Sequence, residues 1–357
     1  MISLVAVQGY KSIKNQQIEL KPLNVLIGGN GVGKSNFISI FSLIRNLYEG
    51  NLQNYIVRKG GANTFLHLGD KVTQEVVIGI QFDDINRFYF TLQKSDYSLF
   101  IKNVGTSFKA SSGWHDVDFE QNVLETTFRY SKKRQAFYVN DLLKEFEVYH
   151  FHDTGDTSPI KSQSNINDNF ALKRDGSNLS AFLYFLKLRH NKHFLRIERT
   201  VKSIAPFFEK FQLEPNRLDP NTILLEWQEK GNYDSYFNAH NLSDGTLRFI
   251  CLATLLLQPK PPKTIIIDEP ELGLHPIAIN KLCGLFRKKS EEGTQIIIST
   301  QSVTLLNNFN AEDIIVADRN EYETIFKRLN NEELSRWTSE YSLGEIWEKN
   351  IFGGQPF

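Results

Sequence analysis

The residues best suited to chemistry stand near the start of the chain, in the run Gly28-Gly29-Asn30-Gly31-Val32-Gly33-Lys34-Ser35. The run fits the spacing G-x-x-x-x-G-K-[ST] of a phosphate-cradling loop. Glycines let main-chain N–H groups converge on phosphate oxygens without a Cβ in the way. A helix that begins at the loop turns its positive end toward the same anion. In this reading the Lys34 ammonium reaches the β- and γ-phosphates of a nucleoside triphosphate, and the Ser35 hydroxyl holds Mg²⁺. A second set is Thr264-Ile265-Ile266-Ile267-Asp268-Glu269, an apolar run that ends in two carboxylates. On a buried parallel strand both would be delivered to the carboxyl edge of the sheet, where ligands bind in such folds. Asp268 would orient Mg²⁺ through its water shell, and Glu269 would polarise an attacking water. A third set, Asn241-Leu242-Ser243-Asp244-Gly245-Thr246, opens a helix with a capping residue and a glycine in its first turn. Such a start can offer the Ser243 hydroxyl and the Gly245 N–H to a γ-phosphate. Read alone, it is also an ordinary helix cap.

These residues need elements to hold them. Residues 2–8 and 16–28 read as strands with a turn at Asn15, and the second runs straight into the glycine loop. Phe37, Ile40, Phe41, Ile44 and Leu47 recur at steps of three and four, which predicts a helix over 36–48 with one buried face. Residues 74–82, 86–94 and 97–103 alternate and predict an antiparallel meander. The stretch 105–135 reads as loops and short strands, and 153–170 as a turn-rich segment. Helical spacing returns over 178–211. Beyond it the pattern predicts helices at 244–257 and 276–289 alternating with buried strands at 264–267 and 295–299, as in a parallel sheet covered on both faces. No heptad pattern long enough for a coiled-coil arm is visible.

Further residues extend these motifs: Gly9-Tyr10-Lys11-Ser12-Ile13, Asn36 directly after the glycine loop, and Asp268-Glu269-Pro270-Glu271-Leu272-Gly273-Leu274-His275-Pro276. To these add Ser299-Thr300-Gln301-Ser302, Asp175-Gly176-Ser177-Asn178-Leu179 and Tyr341-Ser342-Leu343-Gly344. With them the chain resembles the ABC-type ATPases of the RecF, SMC and OLD group, in particular the stand-alone bacterial AAA-family ATPases, over most of its length. The resemblance implies an α/β ABC-type P-loop ATPase head. It would have a mixed central sheet, an antiparallel β-subdomain and an inserted helical subdomain, without a coiled-coil arm. The whole of 1–357 would be one such domain, divided near 1–140, 141–235 and 236–357. It also implies nucleotide contacts from Gly28, Asn30, Gly31, Gly33, Lys34, Ser35 and Asn36. Two copies would close head to head on two ATP–Mg²⁺, with Ser243 and Gly245 of one facing the γ-phosphate held by Lys34 of the other. Residues 272–276 would cross the interface, and a higher oligomer is compatible with this. Catalysis would rest on Glu269, Lys34 and Gln301. The group usually carries a histidine where this chain has Gln301. A glutamine amide donates to a phosphate oxygen but carries no titratable proton, so slow hydrolysis is expected. No motif marks the glutamine loop that senses Mg²⁺ in this group; Gln74 and Gln81 fall on the meander.

Composition narrows the partners. Lysine plus arginine equals aspartate plus glutamate, at 41 each, so no overall charge draws the chain to nucleic acid or anionic membrane. The basic triplets Lys132–Arg134 and Arg287–Lys289 read as solvated faces. Cys251 and Cys283 lie in apolar helical stretches without ligand or disulfide spacing, and no leader or membrane-spanning run is seen. The expectation is a cytoplasmic protein. His150, His152, Asp153 and Asp156 cluster without an established metal spacing and read as structural. Lys11, Ser12, Asp175 and Asn178 are minor candidates for nucleotide contact. The stretch after Gln301 is too short for the nuclease domain that OLD proteins append, which favours a separate effector, a nuclease or toxin, acting in trans in anti-phage defence. The alternative is a DNA-acting repair or recombination ATPase of RecF and SMC type.

Overall fold

The computed structural model describes residues 1–96, 98–338 and 340–355. The chain divides into two compact units, Met1–Val148 with Gln295–Phe357, and Tyr149–Thr294.

In the first unit, β1 (Ile2–Tyr10) and β2 (Ile13–Glu19) form a hairpin. Its turn falls at Lys11-Ser12, where Lys11 takes φ +49°, and not at Asn15, which pairs with Gln8 inside the ladder. The run expected as one strand over 16–28 is also split. Pro22 has no N–H to give to a ladder, and β3 (Leu23–Ile27) starts after it with all five residues buried. The meander comprises β4 (Glu75–Phe82), β5 (Asn86–Lys94), β6 (Leu99–Ala110) and β7 (Gly113–Val123). Tyr97, at the start of the third expected strand, lies outside the described residues. The sheet runs β2-β1-β4-β5-β6-β7 and is antiparallel throughout. Most of the stretch expected as loops and short strands is therefore a long hairpin. Its polar residues face solvent on β7, and cross-strand contacts hold it, including the Arg87 guanidinium 3.6 Å from the Trp114 ring centroid. Cross-strand pairing of this kind leaves little trace in one strand's own pattern.

β3 is the pivot of a second group of strands. Gln295–Thr300 pairs with it in parallel on one side and Ile314–Asn320 on the other, and Glu323–Arg328 returns antiparallel along the latter. The helix Lys34–Tyr48 buries Phe37, Ile40, Phe41, Ile44 and Leu47, the face that the spacing predicts.

The second unit holds helices Leu179–Arg189 and Asn191–Lys202. The helical pattern expected over 178–211 ends at Lys202: within it, Phe208–Phe211 is a strand that pairs with Glu226–Glu229, and this in turn pairs with Asn232–Asn238. Trp227 packs against Phe208 and Phe237, so an aromatic core fixes this small sheet. Helix Asp244–Leu257 is buried along its length from Thr246 onward. It is followed by strand Thr264–Asp268 and helix Pro276–Glu291. Cys251 and Cys283 are buried on these helices, and burial pushes the Cys283 thiol up to about 12. Neither is a thiolate nucleophile at neutral pH. Among the described residues no helix is long and apolar enough to cross a membrane.

Candidate functional site

In the first unit, β3 ends at Ile27 and the chain enters the glycine loop without a linker. Three of its four glycines are required, each for its own reason. Gly31 has open space where a Cβ would sit but takes φ +76°. Gly28 would place a Cβ 2.5 Å from the Ala317 carbonyl oxygen, and Gly33, at φ +111°, would place one 2.2 Å from the Thr324 hydroxyl. Asn30, Gly31 and Ser35 are exposed on the loop and the first helical turn, with Asn36 half-buried beside them. Lys34 is only 4% exposed. Its ammonium donates to the carbonyls of Gly28 (2.7 Å) and Gly29 (2.8 Å), so the side chain curls over the loop. The Gly29 N–H donates to the Gly354 carbonyl at 2.5 Å, which pins the outer edge of the loop to the last described segment.

Beneath the loop runs a relay of side chains that local motifs do not announce. The Asn36 amide donates to Ser12 Oγ at 2.7 Å. Ser12 and Thr324 hydroxyls lie 2.7 Å apart, and Thr324 Oγ1 lies 2.7 Å from the Val32 carbonyl. Thr324 has one hydroxyl proton, so it donates to Val32 and accepts from Ser12. Thr324 is fully buried on the Glu323–Arg328 strand. Replacing it by valine keeps the shape but strands the Val32 carbonyl. Thr324→Val is expected to lower stability by about 1–3 kcal/mol. Thermal melts would show this, and an unchanged Tm would refute the relay's structural weight. Lys11 and Ser12 part company here: Lys11 donates to Ser39 and lies against the Tyr10 and Phe65 rings. Burial, with Lys59 nearby, brings its ammonium down to about 8.

Gln301 follows strand Gln295–Thr300, in which Thr300 is in register with Ile27. The parallel register makes both chains leave the sheet at the same edge, so Gln301 and Gly28 begin neighbouring loops. The Thr300 hydroxyl accepts from the Ser302 N–H, and Ser302 caps the next short helix.

In the second unit, Ser243 is the N-cap of helix Asp244–Leu257, and its hydroxyl accepts from the Thr246 N–H at 3.2 Å. Ser243 is exposed and Gly245 half-buried. A Cβ on Gly245 would lie 2.2 Å from the Gly273 carbonyl oxygen, so the loop after the paired carboxylates rests directly on the first turn of this helix. Lys161 places its ammonium 3.6 Å from Asp244 at the same helix end. Asp268 closes the buried strand Thr264–Asp268. Glu269, the next residue, takes φ +44°. A side chain other than glycine held in this region costs on the order of 1–3 kcal/mol and is a recurrent mark of functional positions. His275 caps helix Pro276–Glu291, with Pro276 at its first position.

Other candidates have structural explanations. Asn178 stands at the helix cap position, but its side chain does not cap. It accepts from the Lys173 N–H and donates to the Asp168 and Ala171 carbonyls, which clamps the preceding loop. Asp175 Oδ1 accepts from the Ser177 N–H. The His150 and His152 rings lie 6.5 Å apart, and among the described residues no group of three or more His, Cys, Asp or Glu is arranged to hold a metal ion. Thr324, Lys161 and Arg248 hold these candidate segments in place, and sequence reasoning missed them. Their partners are distant in the chain, and none belongs to a spaced motif.

A family model described as "AAA domain, putative AbiEii toxin, Type IV TA system" matches residues 23–307. Among curated proteins, the chain is 40% identical over 70 residues to the Old nuclease of Escherichia phage P2, covering 20% of this chain and 12% of that protein. It is 36% identical over 67 residues to an energy-coupling factor transporter ATP-binding protein EcfA of Methanocaldococcus jannaschii, covering 19% and 23% respectively. The chain thus spans well under half the length of these relatives. Among solved structures, an SMC head bound to the C-terminal winged-helix domain of ScpA has a TM-score of 0.59 at 17% identity, over 94% of this chain and 99% of that one. The Smc head with an extended coiled coil, bound to the C-terminal domain of ScpA derived from Pyrococcus furiosus, has a TM-score of 0.55 at 16% identity, over 95% and 98%. The fold is that of an SMC head, and the family match covers most of the chain, so the protein belongs to this AAA-domain family.

Proposed function

We propose that the protein binds ATP–Mg²⁺, dimerises around it and hydrolyses it, and that this cycle controls a separate effector protein in trans. The observation that carries the reading is the glycine loop, with Lys34 drawn over it and Gln301 leaving the sheet at the same edge. Main-chain N–H groups at the start of helix Lys34–Tyr48 and the Lys34 ammonium bind the triphosphate. The Ser35 hydroxyl and Asp268 carboxylate are hard oxygen donors of the kind Mg²⁺ requires, and we assign them to it. When bound, such an ion would supply neutralisation of the negative charge on the triphosphate. Glu269 orients the attacking water and accepts its proton, and Gln301 donates its amide to the γ-phosphate. Ser243 and Gly245 present an anion-binding helix end for the nucleotide held by a second copy. Dimerisation is supported by two exposed apolar side chains, Leu272 (48% exposed) on the loop that rests on that helix end and Ile277 (62% exposed) in the first turn of the helix after it, which a second copy would cover.

The effector reading draws on the toxin–antitoxin wording of the matched family and on the Old nuclease relative. It is also supported by the chain's charge balance of 41 against 41, which supplies no general attraction to DNA. The test is ATP turnover by the purified protein with and without duplex and single-stranded DNA. Turnover that depends on Glu269 and is indifferent to DNA is the expected result. Stimulation by DNA that fades with added salt would instead favour a DNA-acting machine.

A further inference from the structure

Arg248 lies one turn into helix Asp244–Leu257 and is 6% exposed. A guanidinium buried this far needs compensation for lost hydration, and it finds it in main-chain carbonyls. Nε donates to the Phe151 carbonyl at 3.0 Å, Nη2 to the His152 carbonyl at 3.1 Å, and Nη1 to the Leu272 carbonyl. The first two belong to the segment that opens this unit, and the third to the loop after Glu269. That loop is laid flush on the helix. Gly273, at φ +75°, would bring a Cβ to 3.2 Å from Nη1, and a Cβ on Gly245 would meet the Gly273 carbonyl.

We propose that Arg248 is a positioning residue that makes the Ser243–Gly245 helix end and the Leu272–Pro276 loop move as one body. The inference rests on the ATP-sandwich reading above, in which these two segments together face the second copy. Arginine suits the task because its planar fork serves three separated acceptors at once, which the single ammonium of lysine does not. Arg248 touches neither nucleotide nor water in this scheme. It acts through the angle at which Ser243 and Gly245 are presented, and a displacement of about 1 Å in such donors costs on the order of 100-fold in rate.

The experiment compares wild type, R248K and Glu269→Gln with the double variant R248K/E269Q. Expected for R248K are a fluorescent-ATP affinity within about threefold of wild type, an unchanged KM and a kcat lowered on the order of 10- to 100-fold. E269Q is expected to dimerise with ATP, and the double variant to do so poorly. If E269Q dimerises and the double variant does so equally, the positioning role is refuted while the sandwich stands. A joint fall in affinity, kcat and Tm would also refute it, since that is what a merely structural arginine does. If neither E269Q dimerisation nor Glu269-dependent turnover appears, the sandwich fails and this inference falls with it. Hydrogen exchange on the unmodified protein covers the case in which R248K does not fold. Amides of 243–248 and 272–275 should gain protection together when ATP is added, and protection of one segment alone would refute the coupling.

Discussion

Glu269→Gln is expected to lower ATP turnover about 10²- to 10⁴-fold, the usual contribution of a positioned general base, while leaving ATP affinity nearly unchanged. The substitution keeps size and hydrogen-bonding capacity but removes the acceptor for the water proton. It also leaves the left-handed backbone of residue 269 (φ +44°) as it was, because glutamine meets the same steric terms as glutamate. ATP bound to this variant persists, so a complex that forms and decays with turnover in wild type should accumulate as a stable dimer. Light scattering with ATP and with ADP reads the mass directly. Turnover within a few-fold of wild type would remove Glu269 from the chemistry. A strong loss of turnover with a monomer in ATP would retain the carboxylate's role and discard the sandwich.

The second large effect is expected at a residue with no functional atom beyond its main chain. Gly245→Ala would place a methyl group 2.2 Å from the Gly273 carbonyl oxygen, a contact that real side chains do not make. The neighbour is backbone, so relief requires either the 272–276 loop to lift or the first helical turn to unwind. Either movement displaces the Ser243 hydroxyl and the residue 245 N–H, the two donors assigned to the partner's γ-phosphate. We expect turnover to fall by about 100-fold or more, as for the loss of a preorganised donor. Overpacking should cost about 1–3 kcal/mol of stability. ATP capture at the glycine loop should survive, since that loop belongs to the other unit. A melt, a binding isotherm and a rate on the same sample separate these contributions. Loss of ATP binding in Gly245→Ala would show that the helix end serves the nucleotide of its own chain.

How much of this was legible beforehand follows from where each residue's partners lie. The glycine loop declares itself because its task is local: consecutive N–H groups must curl around one anion, so the glycines, Lys34 and Ser35 have to be neighbours in the chain. The buried strands expected at 264–267 and 295–299, found at Thr264–Asp268 and Gln295–Thr300, were legible for a similar reason, since a strand covered on both faces carries an unbroken apolar run, here Ile265–Ile267 and Ile296–Ile298. The β6–β7 hairpin was not legible. Its stability resides in cross-strand pairs, and the alternation on β7 is diluted by polar residues that face solvent. The turn of the first hairpin was misplaced at Asn15, a residue with turn propensity, because the pairing of β1 with β2 sets the register and puts Lys11 in the left-handed region instead.

The sequence by itself determined the phosphate loop, the order of helices and strands around it and the ABC-type class, all properties of residues that act with their chain neighbours. Only the tertiary structure decided what holds those parts in place. Thr324 supports Val32 from 292 positions away, and Arg248 reaches back 97 positions to the Phe151 carbonyl. Each is an ordinary residue in its own segment. Contacts of this kind depend on how distant segments pack together, and no spacing along the chain encodes a hydrogen bond that exists only after folding.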